Sequence, residues 1–183
     1  NFDPEKVKIH LTGSRSGPRK TDGDKGDRAG GMELRLKDIP HVEGCDDRYV
    51  LLAEAWDLAG NKSQDSMAFS VNRFGSVYTF SKETEALVGE NGKYYTSGGQ
   101  DIVVTETNVD TLEFKGITLS LSGRLKTLRE GVHYKVARSG SEADWKAYTY
   151  FIDRDNFSQE GEYLLTICSR DRAGNSSASG ARG

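Results

Sequence analysis

YVLLAEAWDLAGNKS at residues 49–63 and YLLTICSRDRAGNSS at residues 163–177 align without a gap at an offset of 114 residues. They agree at the opening tyrosines Tyr49 and Tyr163, at Leu51 and Leu165, at Asp57 and Asp171, through Ala-Gly-Asn, and at the closing serines. In both copies apolar residues alternate after the tyrosine: Tyr49, Leu51, Ala53 and Ala55 in the first, Tyr163, Leu165 and Ile167 in the second. A period of two marks a strand with one buried face. Each tyrosine follows a short polar loop, so its ring can be buried while its hydroxyl bonds back to the loop backbone, the tyrosine-corner device. At the far end an aspartate carboxylate suits an Asx-type turn, with Gly60 or Gly174 supplying a positive φ and Asn61 or Asn175 tolerating the left-handed region. The segment predicts strand, turn, strand: the penultimate and last strands of a domain.

A weaker echo sets Asn1-Phe-Asp3 beside Asn108-Val-Asp110, and Val7-Lys8 beside Phe114-Lys115, at an offset of 107. An offset near 110 matches one immunoglobulin-like domain of roughly 100 residues and far exceeds a solenoid unit of about 20–50. The 183 residues therefore divide into domains at 1–72 and 73–183. Asn1 aligns beyond two strands of the second domain, so the first domain is expected to lack its opening strands. The second is expected to lack its last strand, because SSASGARG has no counterpart of Ala68-Phe-Ser-Val71.

Tyrosine, alternating apolar residues and Asp-x-Ala-Gly-Asn, twice at one spacing, resemble the closing half of bacterial Ig-like repeat domains of Gram-positive cell-surface proteins. Residues 128–134 followed by 145–152 are similar to the middle hairpin of such domains, whereas residues 14–31 depart from the pattern. The resemblance implies an all-β chain of tandem immunoglobulin-like β-sandwich domains. It also implies an extracellular place, at a cell surface or cell wall, with neighbouring domains of the same kind as partners.

The remaining alternation marks strands at 7–11, 32–36 and 67–71 in the first domain. In the second it marks 77–80, 102–105, 112–121, 133–136 and 147–153. SRSGPRKTDGDKGDRAGG at 14–31 is polar and glycine-rich and predicts a long loop. No apolar stripe at helical spacing lasts three turns, and no apolar run approaches the roughly 18 residues of a membrane span. A net charge of −3 with both signs interspersed gives no footprint for nucleic acid. Cys45 and Cys168 fall in different domains and are expected to be unpaired. The connection 72–76 reaches at most about 18 Å; its one large apolar residue, Phe74, is expected to be mostly buried at the junction.

A search for chemistry finds no nucleophile elbow, Walker loop, His-Glu-x-x-His or Cys-x-x-Cys. Gly13-Ser-Arg-Ser-Gly17 carries arginine at its centre and leads into a loop. His10, His41 and His133 lie on separate elements. Asp22, Asp24 and Asp27 form the strongest metal candidate, since oxygen ligands on a glycine-rich loop suit Ca²⁺. Yet the EF-type spacing and the downstream glutamate are missing, and Lys20, Lys25 and Arg28 neutralise the site. The expectation is a solvated loop, no metal and no cofactor.

Val50, Leu52 and Trp56 take the phase opposite the predicted core, where the second domain has Leu164, Thr166 and Arg170. An apolar outer stripe marks either a contact surface or the underside of a covering loop or domain. Trp145, on the second domain, suits stacking on a sugar ring. The leading expectation is a structural spacer or stalk module of a secreted or wall-anchored bacterial surface protein, without catalysis. The alternative is an adhesin or carbohydrate-binding module, with a glycan or host protein as ligand. Neither involves nucleic acid or membrane insertion.

Overall fold

Alternating apolar residues become strands almost wherever they occur. A computed structural model of the chain describes residues 2–20, 23–28, 31–36, 39–87, 100–141 and 144–179, with backbone alone at 2, 23–25, 27–28, 31, 34 and 114–115. The described residues are all-β: antiparallel sheets with short helical turns at Glu43–Cys45, Lys82–Glu85 and Arg154–Phe157. None of their helices is long and apolar enough to cross a membrane. The chain splits into two units, Asn1–Arg73 and Phe74–Gly183.

Unit 1 contains β1 (Phe2–Gly13), β2 (Gly17–Arg19), β3 (Gly23–Arg28), β4 (Gly31–Leu36), β5 (Asp47–Asp57) and β6 (Lys62–Val71). One sheet runs β2-β1-β5-β6, and β3 and β4 form a separate hairpin. Along β5, Tyr49 faces Gly13 and Phe69, Leu51 faces Leu11 and Met67, and Ala53 faces Ile9 and Asp65. Odd-numbered residues thus share the apolar face. Tyr49 is fully buried with the Phe69 ring 5.6 Å away, whereas Met67 on the same face is 58% exposed.

The long loop expected at 14–31 is not there. Gly17–Arg19 pairs with β1, and Gly23–Arg28 pairs along its length with β4. The segment GDKGDR has no apolar residue, so it carries no periodic signal. Its strand is made by backbone bonds to β4, whose Met32, Leu34 and Leu36 held the only legible alternation.

Unit 2 contains β7 (Val77–Phe80), β8 (Ile102–Asn108), β9 (Leu112–Leu121), β10 (Arg124–Leu128), β11 (Tyr134–Ser139), β12 (Lys146–Ile152), β13 (Tyr163–Asp171) and β14 (Ser176–Ala178). Two sheets, β10-β9-β13-β14 and β11-β12-β8-β7, share one core. Val104, Tyr150 and Ile152 of one sheet pack with Ile117, Leu119 and Ile167 of the other. Alternation does not mark β10, where Leu128 alone is buried, or the three-residue β14.

The units repeat in order. The sheet β2-β1-β5-β6 corresponds strand for strand to β10-β9-β13-β14, and β3–β4 holds the chain position of β11–β12. The pair β7–β8 has no counterpart among the described residues of unit 1.

Phe74, expected to be mostly buried, is 37% exposed. The neighbouring arginine is held within unit 1. Arg73 donates to the Asp46 carboxylate and to the carbonyls of Ile39 (3.1 Å) and Pro40 (2.8 Å). Polar bonds of this kind leave no periodic trace in a sequence. Cys45 and Cys168 are free thiols.

Candidate functional site

The aspartates of the repeated segment close their turns. Asp57 accepts from the backbone N and side-chain Nδ2 of Asn61, both at 2.8 Å, while its own N donates to the Asn61 carbonyl at 3.0 Å. Asp171 accepts the same pair from Asn175 at 2.9 and 3.0 Å and donates to its carbonyl at 3.0 Å. Gly60 and Gly174 take φ values of +88° and +93°. At the opposite end of the strand the tyrosine corner is made twice: Tyr49 Oη donates to Cys45 O at 2.8 Å, and Tyr163 Oη to Gln159 O at 2.9 Å. Because the Tyr49 bond is buried, Tyr49→Phe is expected to destabilise unit 1 by about 1–3 kcal/mol, the cost of a carbonyl left without a partner. Chemical denaturation followed at Trp56 measures it, and an unchanged midpoint contradicts it.

The two turns differ in surroundings. Asp57 lies at the surface, where the Asn61 side-chain bond holds its carboxyl below the ordinary range. A lowered native pKa stabilises above the unfolded value, and the contribution is lost as pH falls through the native value. Asp171 is 1% exposed and also accepts from Asn108 Nδ2 at 3.2 Å, which in turn donates to Ser76 Oγ at 3.1 Å.

The structure brings three of the four expected contact residues together. Val50, Leu52 and Trp56 lie on the face of β5 opposite Tyr49, with His10, Glu54 and Lys62. Val50 is 49% exposed; Leu52 and Trp56 are half-buried. The Trp56 ring has Lys8 Nζ at 5.6 Å and Lys62 Nζ at 5.4 Å from its centroid, cation–π distances. Glu54 pairs with Lys62 and, at 3.5 Å, with His10. The Lys62 bond foremost lowers its carboxyl pKa. Met32 of β4 lines a groove with Val7, Ala53, Glu54 and Ala55. Trp145 belongs to unit 2, half-buried ahead of β12.

Asp22 and the side chains of Asp24 and Asp27 lie outside the described residues. Among the described residues, no three His, Cys, Asp or Glu side chains gather into a group able to hold a metal ion. His10 sits beside Glu54, and His133 Nδ1 accepts from the Arg129 backbone at 2.9 Å.

No protein-family model and no curated protein matches the chain.

Two buried acids escaped the sequence reading. Asp47, fully buried, accepts from Ser14 Oγ (2.7 Å), Ser16 Oγ (2.8 Å) and the backbone N of Arg15 (3.0 Å) and Ser16 (2.7 Å). The Ser-Arg-Ser triplet that mimicked a nucleophile elbow thus wraps a carboxylate as a turn.

Glu106, also fully buried, accepts from Tyr150 Oη at 2.7 Å, Tyr78 Oη at 3.0 Å and Ser169 Oγ. Tyr78, Glu106 and Tyr150 stand on one sheet and Ser169 on the other, so the carboxylate ties the two layers. A signal existed: Glu106 takes the same strand phase as the inward Ile102 and Val104. Burial foremost, then the Glu106 charge, pushes Tyr150 far above its ordinary value near 10; burial does the same to Tyr78. Raised native values stabilise below the unfolded pKa, and the contribution is lost as pH rises through the native value. Unit 2 is therefore expected to lose stability progressively above about pH 10. Thermal unfolding at Trp145 between pH 8 and 12 checks this; a flat profile contradicts it.

Proposed function

We propose that the chain is a stretch of tandem immunoglobulin-like domains serving as a structural spacer in an extracellular, secreted or wall-anchored bacterial surface protein. One observation carries the reading: the end of each unit at which the connection between them attaches. The chain leaves unit 1 beside the tyrosine corner, where Val71 faces Asp47. In unit 2 it enters beside the turn, where Ser76 N donates to Ser177 Oγ at 2.8 Å. β14 runs from Arg170 toward Cys168 on its partner strand, in the direction of the corner.

A unit that releases the chain beside its corner and a unit that takes it up beside its turn are suited to joining in series. Tension then runs along the strands and loads the rungs of a ladder such as β5–β6 together instead of unzipping them. The doubled tyrosine corner supports the immunoglobulin-like reading, because that device belongs to Greek-key sandwiches. The acids and tyrosines described above are committed to turns, corners and the sheet-to-sheet tie, jobs that a spacer requires.

The second reading, an adhesin or carbohydrate-binding module, rests on Val50, Leu52, Trp56 and Trp145. A glycan array and a host-protein pull-down with the whole chain separate the two. The spacer reading expects no saturable binding. Saturable binding lost on Trp56→Ala or Trp145→Ala would establish the rival.

A further inference from the structure

The last strand of unit 1 has an open edge. β6 follows β5 without a break from Asp47↔Val71 to Trp56↔Lys62 and, among the described residues, pairs with no other strand. Residues 62–68 and Ser70 are exposed. The turn fixes which backbone groups face out. Asp57 N donates to Asn61 O at 3.0 Å, so 57 and 61 form a bonded pair, and bonded pairs recur at every second residue of an antiparallel ladder. Odd-numbered residues of β6 therefore exchange bonds with β5, while Gln64, Ser66, Ala68 and Ser70 turn N–H and C=O to the free side. Two bonds agree with this phase. Ser66 N donates to the Asp65 carboxylate at 2.8 Å, and on the opposite edge of β5 it is the carbonyl of even-numbered Arg48 that accepts from Ser14 N at 2.9 Å. Sheets blunt such edges with proline, lysine, a bulge or a very short strand. In unit 2 the counterpart β14 has three residues. Residues 63–71 of β6 contain no proline, glycine or lysine and no break in register.

The edge is also self-complementary. At 66–70 the sequence is Ser-Met-Ala-Phe-Ser, small and large by turns and symmetric in kind about Ala68. Set antiparallel against itself, it places Ser66 opposite Ser70, Met67 opposite Phe69 and Ala68 opposite Ala68. We infer that unit 1 associates with unit 1 of a second copy of this chain, β6 against β6, across a two-fold axis at Ala68. Even-numbered residues then meet even-numbered ones, so the outward backbone groups bond and the odd-numbered side chains of both copies stay on one face. Met67, 58% exposed although it takes the inward phase, is covered by Phe69 of the second copy in a sulfur–aromatic contact. On the other face Ser66, Ala68 and Ser70 are small and uncharged. Asp65 comes opposite Val71 and Lys62 lies beyond the ladder, so no like charges meet. A contact in which one patch meets itself closes as a dimer. A ladder over residues 65–71 belongs with the weak interfaces, below about 1,200 Å², and forms where copies are concentrated. The inference goes beyond the spacer reading and does not depend on it.

The test is sedimentation of the full chain from micromolar to millimolar concentration, beside Ala68→Lys, Ala68→Glu and an equimolar mixture of the two variants. Ala68 is exposed and takes the phase opposite Tyr49 and Phe69, so both variants are expected to keep the denaturation midpoint of unit 1 at Trp56. The unaltered chain is expected to form dimers, with amide exchange at Ser66, Ala68 and Ser70 slowing as concentration rises. Each variant alone sets like charges face to face on the axis and is expected to weaken dimerisation by roughly fivefold or more. The mixture sets opposite charges there and is expected to restore it. A chain that stays monomeric throughout overturns the inference. Association that both variants leave unchanged, or that mixing does not restore, overturns it too, because the contact then lies elsewhere. If a variant lowers the midpoint at Trp56, exchange in the unaltered chain decides: concentration-dependent protection at the three even-numbered amides upholds the inference, and its absence overturns it.

Discussion

Glu106→Ala is expected to destabilise unit 2 by about 3–5 kcal/mol, since it opens a cavity between the sheets and strands several buried hydroxyls at once. The carboxylate receives Tyr78, Tyr150 and Ser169 in a place with no solvent exposure. Three donors share one acceptor group, so its removal leaves more unsatisfied than a single hydrogen bond's net worth. Glu106→Gln keeps the shape and one acceptor oxygen and is expected to lose less. The two tryptophans, Trp56 in unit 1 and Trp145 in unit 2, allow each unit to be followed in the intact chain. The loss should appear at Trp145 and not at Trp56. An unchanged unit 2 midpoint would show that the hydroxyls find other partners and that the carboxylate does not tie the sheets.

The second large effect falls on a turn the sequence made to look identical in both copies. Asp171→Ala is expected to destabilise unit 2 by about 2–4 kcal/mol, through loss of the Asn175 bonds and desertion of buried Asn108. Asp57→Ala removes the same local bonds from unit 1, but there the freed groups of Asn61 turn to water, and the loss is expected to be smaller. The contrast follows from burial: Asp171 is 1% exposed and bonded across to β8, whereas Asp57 bonds only within its own turn. Denaturant midpoints for the two variants, read at the respective tryptophans, check it. Equal losses would mean that the turn alone matters.

The elements that were legible in the sequence owe it to alternation and to turn chemistry. Tyr49 and Tyr163 announced their corner bonds through a polar loop ahead and a period of two behind, and Asp-x-Ala-Gly-Asn announced its turn through residue types that each have a local reason to be there. β3 was illegible because its strand is held by backbone bonds with no apolar side chain to mark it. Glu106 was passed over for a different reason. It continues the inward phase of Ile102 and Val104 one residue beyond the strand expected at 102–105, and the partners that make its burial tolerable come from three other strands, Tyr78 from β7, Tyr150 from β12 and Ser169 from β13. Asp47 and the triplet at Ser14 lie 31–33 residues apart, and only the fold brings them together. Arg73, which the alternation does not mark, is tied within unit 1 by its charge and four hydrogen bonds.

The spacer reading stands or falls on how the chain behaves when pulled by its two ends. Unit 2, Phe74–Gly183, is expected to stay folded as tension rises and then to open in one cooperative event. That event should release a contour length of about 360–400 Å, less the folded end-to-end distance. Unit 1 should give a separate, shorter event, so that a single-molecule trace shows two discrete steps per chain. Gradual extension at low force with no discrete step would contradict the account, because a module that yields continuously cannot hold anything at a fixed distance.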